Sequence, residues 1–171
     1  MKIRGVFGIL VLLVSCGQSA TNCKSQRKWT PLHTAADAGD VETIDRLAKR
    51  EPALLNAPEV GDHTPLHVAV ANGKIEAVEH LLRDGANLEA RDICQWTPLH
   101  MAVDHNRKDI VEFLLLKGAD INATDCHGQT PLDLAEKEHR DEIARVLRQH
   151  GGRTEKERAD AMSAQSPLQR D

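Results

Sequence analysis

Histidine and cysteine are the side chains of this 171-residue sequence with most chemistry to offer, at nine and four copies. Imidazole and thiolate together would suit a metal centre or a His-assisted hydrolase. Their spacing argues against both. His33, His67 and His100 each close the same stretch, Thr-Pro-Leu-His, at intervals of 34 and 33 residues. A histidine that recurs with a repeat belongs first to the folding of the repeat. His63, His105 and His127 fall one in each of three successive units. Units of packed helices stand about 10 Å apart, whereas the ligands of one zinc lie within about 2.1 Å of it. Three histidines on three units therefore do not converge on a metal. No His-Glu-x-x-His, Gly-x-Ser-x-Gly, phosphate loop or Cys-x-x-Cys occurs. The reading is of a non-enzymatic protein with no catalytic residue, metal or cofactor. A His-dependent metal hydrolase is the enzyme alternative, and bound metal would mark it.

What must be positioned is a repeat. Thr30-Pro31-Leu32-His33, Thr64-Pro65-Leu66-His67 and Thr97-Pro98-Leu99-His100 are followed by an altered fourth copy, Thr130-Pro131-Leu132-Asp133. Self-similarity at about 33 residues means stacked supersecondary units, because one such unit cannot bury its apolar face alone. Within each copy Thr can cap a helix, Pro at the first helical position gives up only a donor that is free there anyway, and Leu faces inward. A short apolar helix, a turn residue (Gly39, Gly73, Asn106) and a second helix such as residues 75–82 complete the unit. Small residues on the first helices, among them Ala36, Ala69 and Ala102, allow close approach. Leu81, Leu82, Leu114 and Leu115 on the second helices are expected to fill the space between units.

Each unit from Thr30 onward resembles the ankyrin repeat, most closely along Thr97-Pro98-Leu99-His100-Met101-Ala102-Val103 and the stretch from Ile110 to Ala123. The resemblance implies an all-α solenoid of four helix-turn-helix units joined by short β-hairpin loops: residues 27–60, 61–93, 94–126 and 127–153. It implies a monomer that binds another protein through its hairpin and inner-helix surface. The family's usual contact positions fall here on Arg27, Trp29, Asp37, His63, Asn72, Trp96, Asp104, His105, His127, Gln129 and Lys137. Trp29 and Trp96, just before Thr, are expected to project toward the concave face as anchors, Trp96 apart from the core. Trp29 could instead cover the open amino-terminal end. The first unit leaves its second helix without the usual Gly, through residues 50–56, where a bulge is expected. The fourth, with Asp133 and a highly charged second helix, reads as a terminal cap. Residues 154–171 read as a polar, mobile tail with a marginal helix over 155–162.

The amino terminus reads as a secretory leader: Lys2 and Arg4, then an uncharged apolar run over residues 5–14 too short to span a bilayer. Leu13-Val14-Ser15-Cys16 resembles the lipobox of bacterial lipoproteins. That implies removal of residues 1–15, lipidation of Cys16 and a flexible tether over residues 16–26. Gly17, where Asp would signal inner-membrane retention, resembles the outer-membrane class facing the periplasm. Cleavage near Ala20, discarding Cys16, is the alternative. Removing residues 1–15 takes away two basic residues and no acid, leaving 20 basic against 26 acidic side chains and a charge of −6. Such a chain is a poor nucleic-acid binder. Of the remaining cysteines, Cys94 and Cys126 map to hairpin tips of adjacent units. A bridge needs Cα atoms within ~7 Å, slightly closer than the usual unit spacing, so the disulfide stands beside the alternative of three reduced thiols, with Cys23 on the tether. The partner is unnamed by any motif: a scaffold or stabiliser for an envelope enzyme and an immunity-type inhibitor of a delivered toxin are both open.

Overall fold

The computed structural model describes residues 29–164; the leader, Cys16, the tether and Arg27 lie outside them. Four helix pairs follow one another: α1 (Pro31–Ala38) and α2 (Val41–Arg50), α3 (Pro65–Ala71) and α4 (Ile75–Arg83), α5 (Pro98–Asp104) and α6 (Lys108–Leu116), α7 (Pro131–Lys137) and α8 (Asp141–Gln149). The inner helices α1, α3, α5 and α7 pack in an unbroken row, each with its outer helix behind it. There is no strand among the described residues. The loops expected as β-hairpins are tight hydrogen-bonded turns.

Each inner helix starts the same way for the same reason. Thr caps it, Pro takes the first position, and the residue three beyond Thr returns a side-chain bond to the Thr backbone. This reciprocal cap satisfies amides the first turn would otherwise leave open. Leu32, Leu66, Leu99 and Leu132 are then buried at the centre of the row, with Ala36, Ala69, Ala102 and Ala135 fully buried beside them.

On the outer helices the assignment from sequence needs correction. Leu81 and Leu114 are fully buried, whereas Leu82 and Leu115 are half-buried at the edge of the core. Consecutive residues on an α-helix project about 100° apart, so only one of a Leu-Leu pair can point straight inward. Ala77, Val78 and Leu81 form the inward face of α4, and Ile110, Val111 and Leu114 that of α6.

The exit of the first unit is a 3-10 turn, Pro52–Asn56, in place of the expected bulge. Pro52 begins it and Leu55 is buried against the core, so the extra residue is absorbed by useful packing. At the other end, the stretch read as a tail carries α9 (Glu155–Ala164). Thr154 and Glu157 cap it reciprocally, Glu157 N to Thr154 Oγ1 at 3.2 Å and Thr154 N to Glu157 Oε2 at 2.9 Å. The Glu155 amide donates to Asp133 Oδ2 at 2.8 Å. Asp133, the departure from Thr-Pro-Leu-His, thus joins the last inner helix to α9.

Leu81→Ala or Leu114→Ala should destabilise the domain by ~2–5 kcal/mol through the cavity it leaves, and Leu82→Ala or Leu115→Ala by less than half as much. Urea unfolding of the four variants checks this; equal losses would contradict the assignment of faces.

Candidate protein-binding groove

The turns before α3, α5 and α7 are residues 59–63, 92–96 and 125–129. Each closes with a backbone bond from its first amide to its last carbonyl: Glu59 to His63 at 2.9 Å, Asp92 to Trp96 at 3.1 Å, Asp125 to Gln129 at 3.0 Å. In the last two, an aspartate organises the loop. Asp92 Oδ1 accepts from the amides of Cys94 and Trp96, both at 2.8 Å, and Asp125 Oδ1 from those of His127 and Gln129, at 2.8 and 2.9 Å. Adjacent turns are also bonded to each other: Ile93 N to Gly61 O at 2.9 Å, and Cys126 N to Cys94 O at 3.0 Å.

The Thr-Pro-Leu-His histidines fix these turns to the helices. In His33, His67 and His100, Nδ1 accepts from the amide of Thr30, Thr64 and Thr97 at 3.2–3.3 Å. An acceptor nitrogen carries no proton, so each ring is the Nε2–H tautomer. That nitrogen donates across the repeat boundary to the carbonyl of His63 (3.1 Å), Trp96 (3.2 Å) and Gln129 (3.3 Å). Burial pushes the His67 imidazole down to about 4 despite the Trp96 carbonyl, and desolvation likewise lowers His33 and His100. These rings are joints, as the repeat predicted for them.

Between the turns and α3 and α5 lies a groove of about 430 Å³. Trp29 stands at one side and Trp96 at another, with Val68, Ala71 and Met101 forming apolar wall. Trp29 is 49% exposed, and its ring lies 5.4 Å from that of His33. Trp96 is half-buried against the core, and its Nε1–H donates to Asp125 Oδ2 at 3.2 Å. The expectation that Trp96 stands apart from the core is corrected: the indole packs against the core and clamps two repeats together. Burial alone would raise the Asp125 carboxyl, but the amides of Gln129 and His127 and the Trp96 indole outweigh it and hold it below the ordinary range.

Five of the positions expected to meet a partner line this groove: Trp29, His63, Asn72, Trp96 and His105. His63 sits between two carboxylates, Nδ1 2.9 Å from Glu59 Oε1 and Nε2 3.4 Å from Asp92 Oδ2. Asp37 reaches the groove through Asn72, whose Nδ2 donates to Asp37 Oδ1 at 2.8 Å, and Asp104 through His105, 3.4 Å away. His127, Gln129 and Lys137 lie outside it. His127 is an exposed turn tip, Gln129 is half-buried with its backbone engaged, and Lys137 is exposed at the end of α7. Glu59 and Asp92 line the groove without having been singled out. Alignment of residues 59–63 with 92–96 would have revealed Glu59 as the counterpart of Asp92.

Stacked helix pairs with a side-chain-lined groove along one face define a helical-repeat binding module. A model of ankyrin repeats in three copies matches residues 3–92 and 87–158, and the chain belongs to that family. The first match begins within the stretch read as a leader. The chain is similar to the "SMC5-SMC6 complex localization factor protein 1" of Homo sapiens and of Bos taurus, each 32% identical over 76 residues. That is 44% of this chain and 7% of either relative. It is also similar to the human "Ankyrin and armadillo repeat-containing protein", 28% identical over 74 residues, 42% of this chain and 5% of that one. The aligned part is thus under a tenth of the length of these curated relatives.

Stability should fall in acid, because the neutral His67 ring is built into the fold. Between the free value of 6.5 and the folded value of about 4, the unfolded chain binds the proton and the folded chain does not. Stability is complete above pH 6.5 and declines as pH drops toward 4, by on the order of 3 kcal/mol from His67 alone. The lowered Asp125 adds a further loss below its ordinary range. Urea midpoints measured across this window check the sign; a midpoint that rises on acidification would contradict it.

Proposed function

We propose that the chain is a protein-binding module whose groove receives an apolar or aromatic side chain of a partner segment with basic residues on its flanks. The observation that carries this is the opening between Trp29 and Trp96, apolar along Val68, Ala71 and Met101 and bordered by Glu59 and Asp92. An exposed indole beside a preformed apolar recess is the usual composition of a binding anchor. The carboxylates of Asp37 and Asp104 extend the acidic border through Asn72 and His105. A basic segment complements it, and the chain's own charge of −4 agrees. Family membership supports binding over catalysis, since ankyrin repeats serve generally as interaction modules. The role is that of scaffold or stabiliser.

The sequence supports a place for it as well. We infer that residues 1–15 direct export and that Cys16 is acylated in a bacterial envelope, holding the repeats at the outer membrane on the periplasmic side. What supports this is the order Lys2, Arg4, apolar run, Leu13-Val14-Ser15-Cys16. No helix among the described residues is long and apolar enough to cross a membrane. Two or more acyl chains, at about 0.8 kcal/mol per buried methylene, anchor firmly. Cys16→Ser should move the protein out of the detergent phase or leave it unprocessed; retention at mature size would refute lipidation.

A photo-crosslinking residue at Asn72 or His105 should capture the partner in cells, and one at Leu116, exposed on the outer helix α6, should not. Trp29→Ala should cost less than about 1 kcal/mol in folding yet weaken capture roughly tenfold. Trp96→Ala should cost both, with ~1–3 kcal/mol lost from folding. Capture through Leu116, or capture indifferent to Trp29→Ala, would contradict the siting.

A further inference from the structure

Cys94 and Cys126 are 32 residues apart in sequence, on the turns before α5 and α7. The stacking nevertheless brings them together. The Cys126 amide donates to the Cys94 carbonyl at 3.0 Å, repeating the bond from Ile93 to Gly61 one unit earlier. A backbone bond of this kind sets the two Cα atoms on the order of 5 Å apart. A disulfide requires ~4.4–6.8 Å. The spacing expected from sequence was that of helices, about 10 Å, whereas hydrogen-bonded turns approach as strands do, at about 4.8 Å. The thiols are near neighbours as well: after partial desolvation and Asp92, Cys126 contributes to pushing the Cys94 thiol up. Both are free and exposed. Cys126 Sγ lies 3.2 Å from His127 Nδ1, which can take its proton when the ring is neutral.

We propose that Cys94 and Cys126 form a redox modification site, closing through a small-molecule disulfide into an intramolecular bridge that staples two adjacent turns. His127 Nδ1 accepts the Cys126 proton. The thiolate attacks one sulfur of the small disulfide, forming a mixed disulfide and expelling one thiolate. Cys94, having given its proton to solvent, then attacks the Cys126 sulfur and expels the second thiolate. Two protein thiols lose two electrons and two protons, and the small disulfide gains both as two thiols. The order follows from the surroundings. Partial desolvation, then Asp92 and Cys126, push the Cys94 thiol up and make it the poorer first nucleophile. Cys94 also lines the groove beside Trp96, so closure fixes that wall of it.

The test treats the full, folded chain with glutathione disulfide, followed by alkylation and peptide mapping. Alkylation of Cys94 and Cys126 should be lost together, with one cross-linked peptide lighter by two hydrogens and no intermolecular dimer. Cys94→Ser should trap glutathione on Cys126, and Cys126→Ser should slow attachment at Cys94 at least roughly tenfold. A mixed disulfide that persists on the unaltered chain, a bridge from either residue to Cys23, or both thiols remaining alkylatable would overturn the proposal. Faster attachment at Cys94 than at Cys126 would overturn the assigned order.

Discussion

The structure depends on one side chain making two bonds in opposite directions. A buried imidazole in each of three repeats accepts from the Thr amide of its own helix cap and donates to the turn of the next repeat. The first bond is local and stabilises a helix of seven or eight residues, too short to persist alone. The second is long-range and sets where the next turn lies. A repeat protein has no contacts between distant units to define its shape, so nearest-neighbour bonds of this kind must do it. Burying a ring in its neutral form is the cost, visible in the depressed His67 proton affinity.

The groove follows from that constraint. With the turns held at the carbonyl before Thr, the side chains of His63 and Trp96 at that position join Trp29 in a column along one face of the groove. Inner helices of seven or eight residues keep the column close to Val68, Ala71 and Met101, which wall the recess. The same registration brings turn against turn and so sets Cys126 against Cys94. At the last repeat the stretch before α9 takes the place of the next turn, and Thr130 Oγ1 donates to the Arg153 carbonyl at 2.9 Å. Asp133, where the other repeats carry His, accepts from the Glu155 amide and joins the inner helix to α9.

Thr-Pro-Leu-His was sufficient to read the fold class and the structural role of three histidines, because each function of that stretch is local or lies one repeat away. The adjacent leucines misled, since a Leu82 beside Leu81 carries no information about helix phase. The pattern of Ala77, Val78 and Leu81 carries it. Groove positions were legible where they fell on the column or on α3 and α5, as for Trp29, His63, Asn72, Trp96 and His105. His127, Gln129 and Lys137, toward the last repeat, lie outside the groove. The bond from Trp96 to Asp125 joins residues 29 apart and left no trace in local pattern, so the burial of that indole was missed. Similarly, turn-to-turn spacing could not be read from helix spacing, because hydrogen bonds and side-chain packing set different distances.

The central claim is that neutral rings, protonated on Nε2 alone, couple the repeats. It is tested most directly by long-range proton–nitrogen correlation spectra of the histidine rings near pH 5, between the free and the folded values for His67. The account predicts that His67 remains a neutral Nε2–H tautomer in the folded domain under those conditions, with its Nδ1 resonance that of an unprotonated acceptor. An imidazolium pattern at His67 in the folded protein, with both nitrogens protonated, would contradict it.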